Sequence, residues 1–234
     1  MEPTLPSDQL KTLIARRFDN AANKAAISPA QGQLNHDFFV DLLCVFHHPE
    51  QFKATDFMSY PLPVVVTYLR KTHQYYLGKN LEELDLAIAT LAQGRKDLAS
   101  LQATLALYMQ KLKAELTQHI QEEEESLFPY IDALLAANGN QQFTFGFKQK
   151  VQLIDFLLHH DDKVEESLRH LVAILERKVA QYNDSFAYRM LVNRLKVFEL
   201  DLRIHSQLEE EVLMPMALTL EKKVLNNPNL EVMG

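Results

Sequence analysis

The sequence repeats an eleven-residue motif, HIQEEEESLFP at residues 119–129 and HSQLEEEVLMP at residues 205–215, and seven of the eleven positions are identical. Apolar residues recur three and four positions apart along the chain around the first copy, as in Leu98, Leu101 and Leu105. This spacing is typical of an amphipathic α-helix. The repeat therefore predicts that the two copies lie on corresponding helices of two related helical hairpins.

The same periodicity, together with glycine and asparagine stop signals, predicts four long helices with short connections. We expect a break in the first of them at Gly78, where Asn80 and Glu83 resemble a capping pattern. Four such helices favour an all-α fold, an up-down-up-down four-helix bundle preceded by a short helical N-terminal segment. The expected helices span residues 62–93, 97–136, 147–181 and 185–224.

The chain divides by pattern into a helical N-terminal segment (1–60), the bundle (61–224) and a C-terminal tail (225–234). In the N-terminal segment we expect helices at 9–25 and 38–46, and a loop from Ser28-Pro29 to Gly32. Cys44 lies among apolar residues and is expected to be buried.

The composition excludes several classes of protein. The chain has 234 residues, a formal net charge of −7 and a single cysteine. A nucleic-acid partner is disfavoured because phosphate contacts need clustered basic residues. No apolar run is long enough to span a membrane, and no signal peptide is recognisable, so we expect a cytoplasmic protein without a membrane partner.

Each copy of the repeat opens with a histidine that is followed four residues later by a glutamate. The pairs are His119 with Glu123 and His205 with Glu209. On a helix, side chains four residues apart lie one above the other on a single face. An imidazole and a carboxylate in this arrangement can reach one metal ion or two adjacent ions.

Two further histidines stand at matching distances from these pairs. His73 precedes His119 by 46 residues, and His160 precedes His205 by 45 residues. Residues at equal distances from the turn of an antiparallel hairpin lie at the same height. All four histidines are therefore expected in one layer across the bundle, with the two glutamates one turn away.

Four histidines and two glutamates can hold two metal ions. Imidazole with carboxylate suits iron, and zinc or manganese are alternatives. Bridging carboxylates would keep two cations close together. Coordination positions would remain open for an oxo bridge, water, dioxygen or nitric oxide.

The full set of residues resembles the hemerythrin-like HHE cation-binding domain, and within it the iron–sulfur cluster repair di-iron proteins. The set consists of His73, His119-x-x-x-Glu123, His160-Asp161 and His205-x-x-x-Glu209. His160 is chosen over His159 because Asp161 follows it as in that family and because its spacing fits. The resemblance implies a non-haem di-iron centre, oxo- and carboxylate-bridged, with Glu123 and Glu209 as the bridges.

The resemblance also implies a role in nitrosative or oxidative stress response or in iron–sulfur cluster repair, with O2 or NO as a diatomic ligand and a redox or damaged iron–sulfur protein as partner. A metal-dependent sensor of O2, NO or iron without turnover is an alternative, so enzymatic activity is left open. A structural bundle that binds zinc or no metal is a third alternative. The neighbouring glutamates are expected to form a solvated acidic stripe and comprise Glu122, Glu124, Glu125, Glu210 and Glu211.

Overall fold

The computed structural model describes residue Ile14 and residues 29–139, 145–146, 163–182, 184–226 and 232–233. The expected helix at 9–25 and the first half of the expected third long helix therefore lie outside the described residues, apart from Ile14. The described residues are helical except for short connections and a parallel pairing of β1 (Phe145–Gly146) with β2 (Val232–Met233). The all-α prediction is confirmed.

Four long helices form the body of the fold. The first spans residues 62–89, the second residues 99–139, the third residues 163–178 and the fourth residues 186–225. The α-helices are α1 (Pro29–His47), α2 (Ala54–Phe57), α3 (Leu62–Tyr75), α4 (Leu81–Ala89), α5 (Ala99–Glu122), α6 (Phe128–Gly139), α7 (Lys163–Lys178), α8 (Phe186–Leu208) and α9 (Met214–Leu225). The π-helical turns are π1 (Tyr76–Asn80), π2 (Glu123–Leu127) and π3 (Glu209–Leu213). Short 3₁₀ turns at Pro49–Gln51 and Lys96–Leu98 complete the described helical elements.

Local sequence signals explain several helix ends. Pro63 lies in the first turn of α3, where no intrahelical partner for its backbone nitrogen is needed. The side chain of Ser185 caps α8 by accepting a hydrogen bond from the backbone N–H of Tyr188 at 3.2 Å. Gly94, in the connection after α4, has φ of +71°, a conformation that L side chains rarely adopt.

The predicted break at Gly78 is wrong. Residues 62–89 form one continuous helical rod, and Gly78 lies within π1. Asn80 is itself helical, with φ of −63° and ψ of −48°, and its side chain makes no capping hydrogen bond. Packing of the flanking apolar residues holds the rod together across a residue of low helix propensity.

Two apolar clusters fill the bundle, and the long helices alternate in direction between them. The first long helix runs from the lower cluster to the upper, whereas the second and fourth run from the upper to the lower. The third runs from the level of His119 and His205, where Glu165 lies, to the upper cluster, where the carbonyl of Leu175 accepts a hydrogen bond from Tyr188, so the described helices have the up-down-up-down arrangement. The lower cluster includes Phe38, Leu69, Leu134, Ile204 and Val224. The upper cluster includes Leu84, Leu112, Val172, Tyr188 and Phe198.

The described part of the N-terminal segment packs on the lower end of the bundle. The ring of Phe38 in α1 lies 5.5 Å from that of Tyr68 in α3. Residues 29–32 are helical, so the predicted loop there is wrong, since Pro29 begins α1. Cys44 is exposed rather than buried, because α1 turns Phe38 and Leu42 inward and Cys44 outward. The division at residues 1–60, 61–224 and 225–234 stays a prediction.

None of the helices that the structure describes combines the length and the apolar character needed to cross a membrane.

Candidate metal centre

Three of the long helices contain a π turn next to the polar layer, π1 on its upper side and π2 and π3 on its lower side. In π2 the backbone N–H of Phe128 donates to the carbonyl of Glu123, five residues back, and in π3 Met214 donates to Glu209 in the same way. In π1 the N–H of Leu81 donates to the carbonyl of Tyr76. Such turns are rare and occur frequently at functional sites.

Proline explains the two π turns in the repeat. Pro129 and Pro215 follow π2 and π3 by one residue beyond the closing hydrogen bond. A proline inside an α-helix lacks the N–H for the carbonyl four residues back, and its ring clashes with that carbonyl. A widened turn just before the proline relieves this conflict. In both copies the turn begins at the glutamate of the His-x-x-x-Glu pair.

The first group of candidate ligands consists of His73, Glu123 and His205, all of them buried. The Nε2 atom of His73 lies 3.0 Å from Oε2 of Glu123 and 3.1 Å from Nε2 of His205. These three side chains come from the first, second and fourth long helices. They meet in the polar layer between the apolar clusters.

The second group consists of His119, Glu123 and Glu209. Oε1 of Glu123 lies 2.8 Å from Nε2 of His119, and Oε2 of Glu209 lies 3.6 Å from Nε2 of His205. The His119 side chain is 27% exposed, whereas both glutamates are buried. Glu123 belongs to both groups, and its two oxygens face different histidines.

The structure thus brings together five of the six predicted ligands: His73, His119, Glu123, His205 and Glu209. His160, with its neighbours His159 and Asp161, lies outside the described residues. The described part of the third long helix begins at residue 163.

The spacing of the donor atoms fits a divalent cation. Two ligand atoms that bind one cation at right angles, each about 2.1 Å from it, lie about 3.0 Å apart. The separations of His73 Nε2 from Glu123 Oε2 and from His205 Nε2 are 3.0 and 3.1 Å. Two buried carboxylates in one layer also need nearby positive charge, which a metal ion supplies. The donor set therefore suits a metal such as iron, zinc or manganese.

Protonation of the histidines also supplies positive charge beside the buried carboxylates. Burial opposes protonation of His73, but hydrogen bonds with Glu123 and Glu124 outweigh it and raise the pKa of His73. Burial alone would raise the pKa of Glu123, but hydrogen bonds with His119 and His73 hold that pKa well below its ordinary value. The layer therefore favours an ionised carboxylate beside a protonated imidazole.

Aromatic rings and a pocket border the candidate ligands. The ring of Phe128 lies 5.5 Å from His73, and the ring of Tyr76 lies 5.8 Å from His205. A partly open cavity of about 30 Å³ is lined by His119, His205 and Glu165 of α7, among other residues. Phe128 and Tyr76 therefore belong to the buried core and also border the candidate site.

Sequence reasoning misses Glu124, which it assigns to a solvated acidic stripe. The Oε1 atom of Glu124 lies 2.9 Å from Nδ1 of His73, and its side chain is only 35% exposed. The other residues of the expected stripe, Glu122, Glu125, Glu210 and Glu211, are exposed as predicted. Arg70, three residues before His73 and therefore on its helix face, is the one available signal that an acidic partner stands near that histidine.

With this geometry established, the comparison with known proteins defines the class. The model of the hemerythrin HHE cation-binding domain matches residues 64–217, and the chain belongs to this family. Its members bind cations, in agreement with the groups of histidine and glutamate described above.

Two individual proteins with similar sequences are named as iron–sulfur cluster repair proteins. The chain is 25% identical over 165 residues to the iron–sulfur cluster repair protein YtfE of Pectobacterium carotovorum and, with the same figures, to that of Pectobacterium atrosepticum. Each match covers 70% of this chain and 70% of the relative. No solved structure gives a significant match.

Proposed function

We propose that this protein holds two iron ions in its polar layer and acts in the nitrosative or oxidative stress response or in iron–sulfur cluster repair. The observation that carries the proposal is the position of Glu123. One of its oxygens lies 3.0 Å from His73 and the other 2.8 Å from His119, so that a single buried carboxylate stands between two groups of donors. A carboxylate in that position suits a bridge between two cations.

The proposed ligands are His73, His119, Glu123, His160, His205 and Glu209. Glu123 and Glu209 would offset the charge of the two ions, and both are buried, which strengthens their attraction for cations. The apolar clusters above and below the layer limit the access of water. The donor side chains lie on three packed helices, which position them before any ion binds.

Two iron ions would supply redox chemistry and open positions for a diatomic ligand such as O2 or NO. The pocket beside His119 and His205 offers such a ligand a path from solvent, since it is partly open and its walls include Leu116, Ile120 and Leu202. Tyr76 also lines this pocket. These residues would exclude larger molecules and leave room for a small apolar gas.

The stress and repair role is supported by the names of the two relatives, which are called iron–sulfur cluster repair proteins. By this analogy, a redox protein or a damaged iron–sulfur protein is the proposed partner. Fold-level likeness alone does not define an activity. The activity therefore needs its own assay.

A metal-dependent sensor of O2, NO or iron, without turnover, is the second candidate. It is favoured by the contact between α1 and the first long helix. Phe38 packs against Tyr68, which precedes His73 by five residues on the same helix. A change at His73 could therefore reach the N-terminal segment, where a partner protein would read it.

Anaerobic reconstitution with Fe(II) tests the metal assignment. We expect two equivalents of iron per chain and, after oxidation, the near-ultraviolet absorption of an oxo-bridged ferric pair. Glu209→Ala or His119→Ala should lose most of the iron and keep its helical circular dichroism. Glu211→Ala is the matched control, because Glu211 lies in the same π turn but is exposed. Preferential uptake of zinc, or full iron in the Glu209 variant, would contradict the proposal.

Activity assays then separate the two candidate functions. The loaded protein is mixed with NO and a reductant, and separately with an enzyme whose iron–sulfur cluster has been damaged by NO. Consumption of NO or recovery of that enzyme supports the first candidate. A loaded protein that binds NO stoichiometrically but does neither supports the sensor.

A further inference from the structure

The two ring nitrogens of His73 face different partners. Nε2 faces the polar layer, at 3.0 Å from Glu123 and 3.1 Å from His205. Nδ1 faces away from the layer and lies 2.9 Å from Oε1 of Glu124. A cation bound at Nε2 would use the lone pair of that nitrogen, and the neutral ring would then carry its proton on Nδ1. That N–H then donates to the Glu124 carboxylate.

Glu124 also lies beside a cation at the rim of the site. Its Oε2 atom lies 3.6 Å from Nε of Arg70, and Nη2 of Arg70 donates to Oδ2 of Asp132 at 2.8 Å. The guanidinium of Arg70 also stacks over the Phe128 ring, 5.0 Å from its centroid. The same ring packs against His73 at 5.5 Å. Arg70 thus lies against both Glu124 and Phe128, and each of these two residues contacts His73.

An isolated surface ion pair contributes little to stability. A contribution to folding stability is therefore a weak explanation for the pair of Arg70 and Glu124. Glu124 and Phe128, both in contact with Arg70, instead bear on the orientation of the His73 imidazole. Outer carboxylates that accept a hydrogen bond from a ligating histidine fix its tautomer and make it a stronger donor to the metal. The loss of such a partner typically lowers metal affinity or activity by about 10- to 100-fold.

We propose that Glu124, which lies beside Arg70 and 2.9 Å from Nδ1 of His73, is a positioning residue that orients His73 and strengthens it as an iron ligand. The inference rests on the proposed iron site. A negative acceptor on Nδ1 increases the electron density of the ring, which stabilises ferric over ferrous iron. Glu124 therefore lowers the reduction potential of the centre in addition to tightening iron binding.

Three variants test this role in the full-length chain. Glu124→Ala removes the acceptor, Glu124→Gln keeps an acceptor oxygen but removes its charge, and Glu125→Gln changes an exposed neighbour. Fe(II) affinity is measured by competition with a chelator, and the reduction potential by spectroelectrochemical titration. Thermal unfolding of the chelated proteins checks that each variant folds.

We expect Glu124→Ala to bind Fe(II) about 10- to 100-fold more weakly than the wild type. Glu124→Gln should recover most of the affinity but show a higher reduction potential, and Glu125→Gln should match the wild type in both. A structural role alone would not produce the separate shift of potential in the Gln variant. Wild-type affinity and potential in both Glu124 variants would overturn this inference and leave the iron site intact. A wild-type protein that binds no iron would overturn the proposed function as well.

Discussion

Replacing Glu123 with glutamine tests the centre of the site with almost no change of shape. Glu123 is fully buried, and its two oxygens lie 3.0 Å from His73 and 2.8 Å from His119. Glutamine keeps one oxygen but replaces the other with an amide nitrogen, which does not bind a cation. We expect Glu123→Gln to lose at least one of the two iron ions.

The same substitution has a calculable effect on the metal-free protein. A hydrogen bond to a charged group contributes about 1.5–3 kcal/mol. A buried cation left without its partner would cost about 3–5 kcal/mol, but His73 can release its proton instead, so the smaller range applies. At about 2–4 °C per kcal/mol for a chain of this size, we expect the melting temperature at pH 6 to fall by about 3–12 °C.

Circular dichroism melting with a chelator present measures the stability effect, and elemental analysis after reconstitution measures the iron. Glu122→Gln is the matched control, because Glu122 is exposed and contacts Gln118 on the same helix. If Glu123→Gln held two iron ions and melted at the wild-type temperature, Glu123 would not be the shared ligand of the layer.

Three further outcomes are expected from the described geometry. The stability of the metal-free protein in urea should be highest between about pH 4.5 and 6.5. The raised pKa of His73 contributes stability that is fully present below about pH 6.5 and is lost as the pH rises through the pKa of the folded state. The lowered pKa of Glu123 contributes stability that is fully present above about pH 4.5 and is lost as the pH falls through the pKa of the folded state. Gly94→Ala should destabilise the fold by about 1–2 kcal/mol because φ of Gly94 is +71°. Gly78→Ala should not destabilise the fold, because nothing lies within 4 Å of the added methyl group. Chemical denaturation of the two variants compares these effects. Ser185→Ala removes the cap of α8 and should cost about 1 kcal/mol in the same assay.

The fold is largely predictable from the sequence because helical periodicity is a strong signal over long segments. The second and fourth helices begin and end within a few residues of the expected positions. The errors concern glycine and proline. Gly78 suggests a break, but packing on both sides keeps the helix continuous. Pro29 suggests a loop, although proline is well suited to the first turn of a helix.

The layer of candidate ligands is predictable to the extent that antiparallel helices place equidistant residues at equal heights. His73, Glu123 and His205 meet as expected, while the role of all six residues as ligands stays a prediction. Glu124 is not predictable, since its partner His73 is 51 positions away in the sequence. Its contact depends on the side-chain direction that π2 creates, and a periodicity argument assumes a regular helix.

Each of the three π turns divides its helix, the first, second or fourth, into two segments. The side chains of the two segments point in different directions around the helix axis. An additional residue in a turn rotates the remainder of the helix by about 100° relative to an uninterrupted α-helix. The apolar faces on either side of the polar layer are therefore aligned independently of each other. His119 and His205 lie on α5 and α8, above the turns of the second and fourth helices, so the lower ends of those two helices can diverge in sequence without reorienting the two histidines.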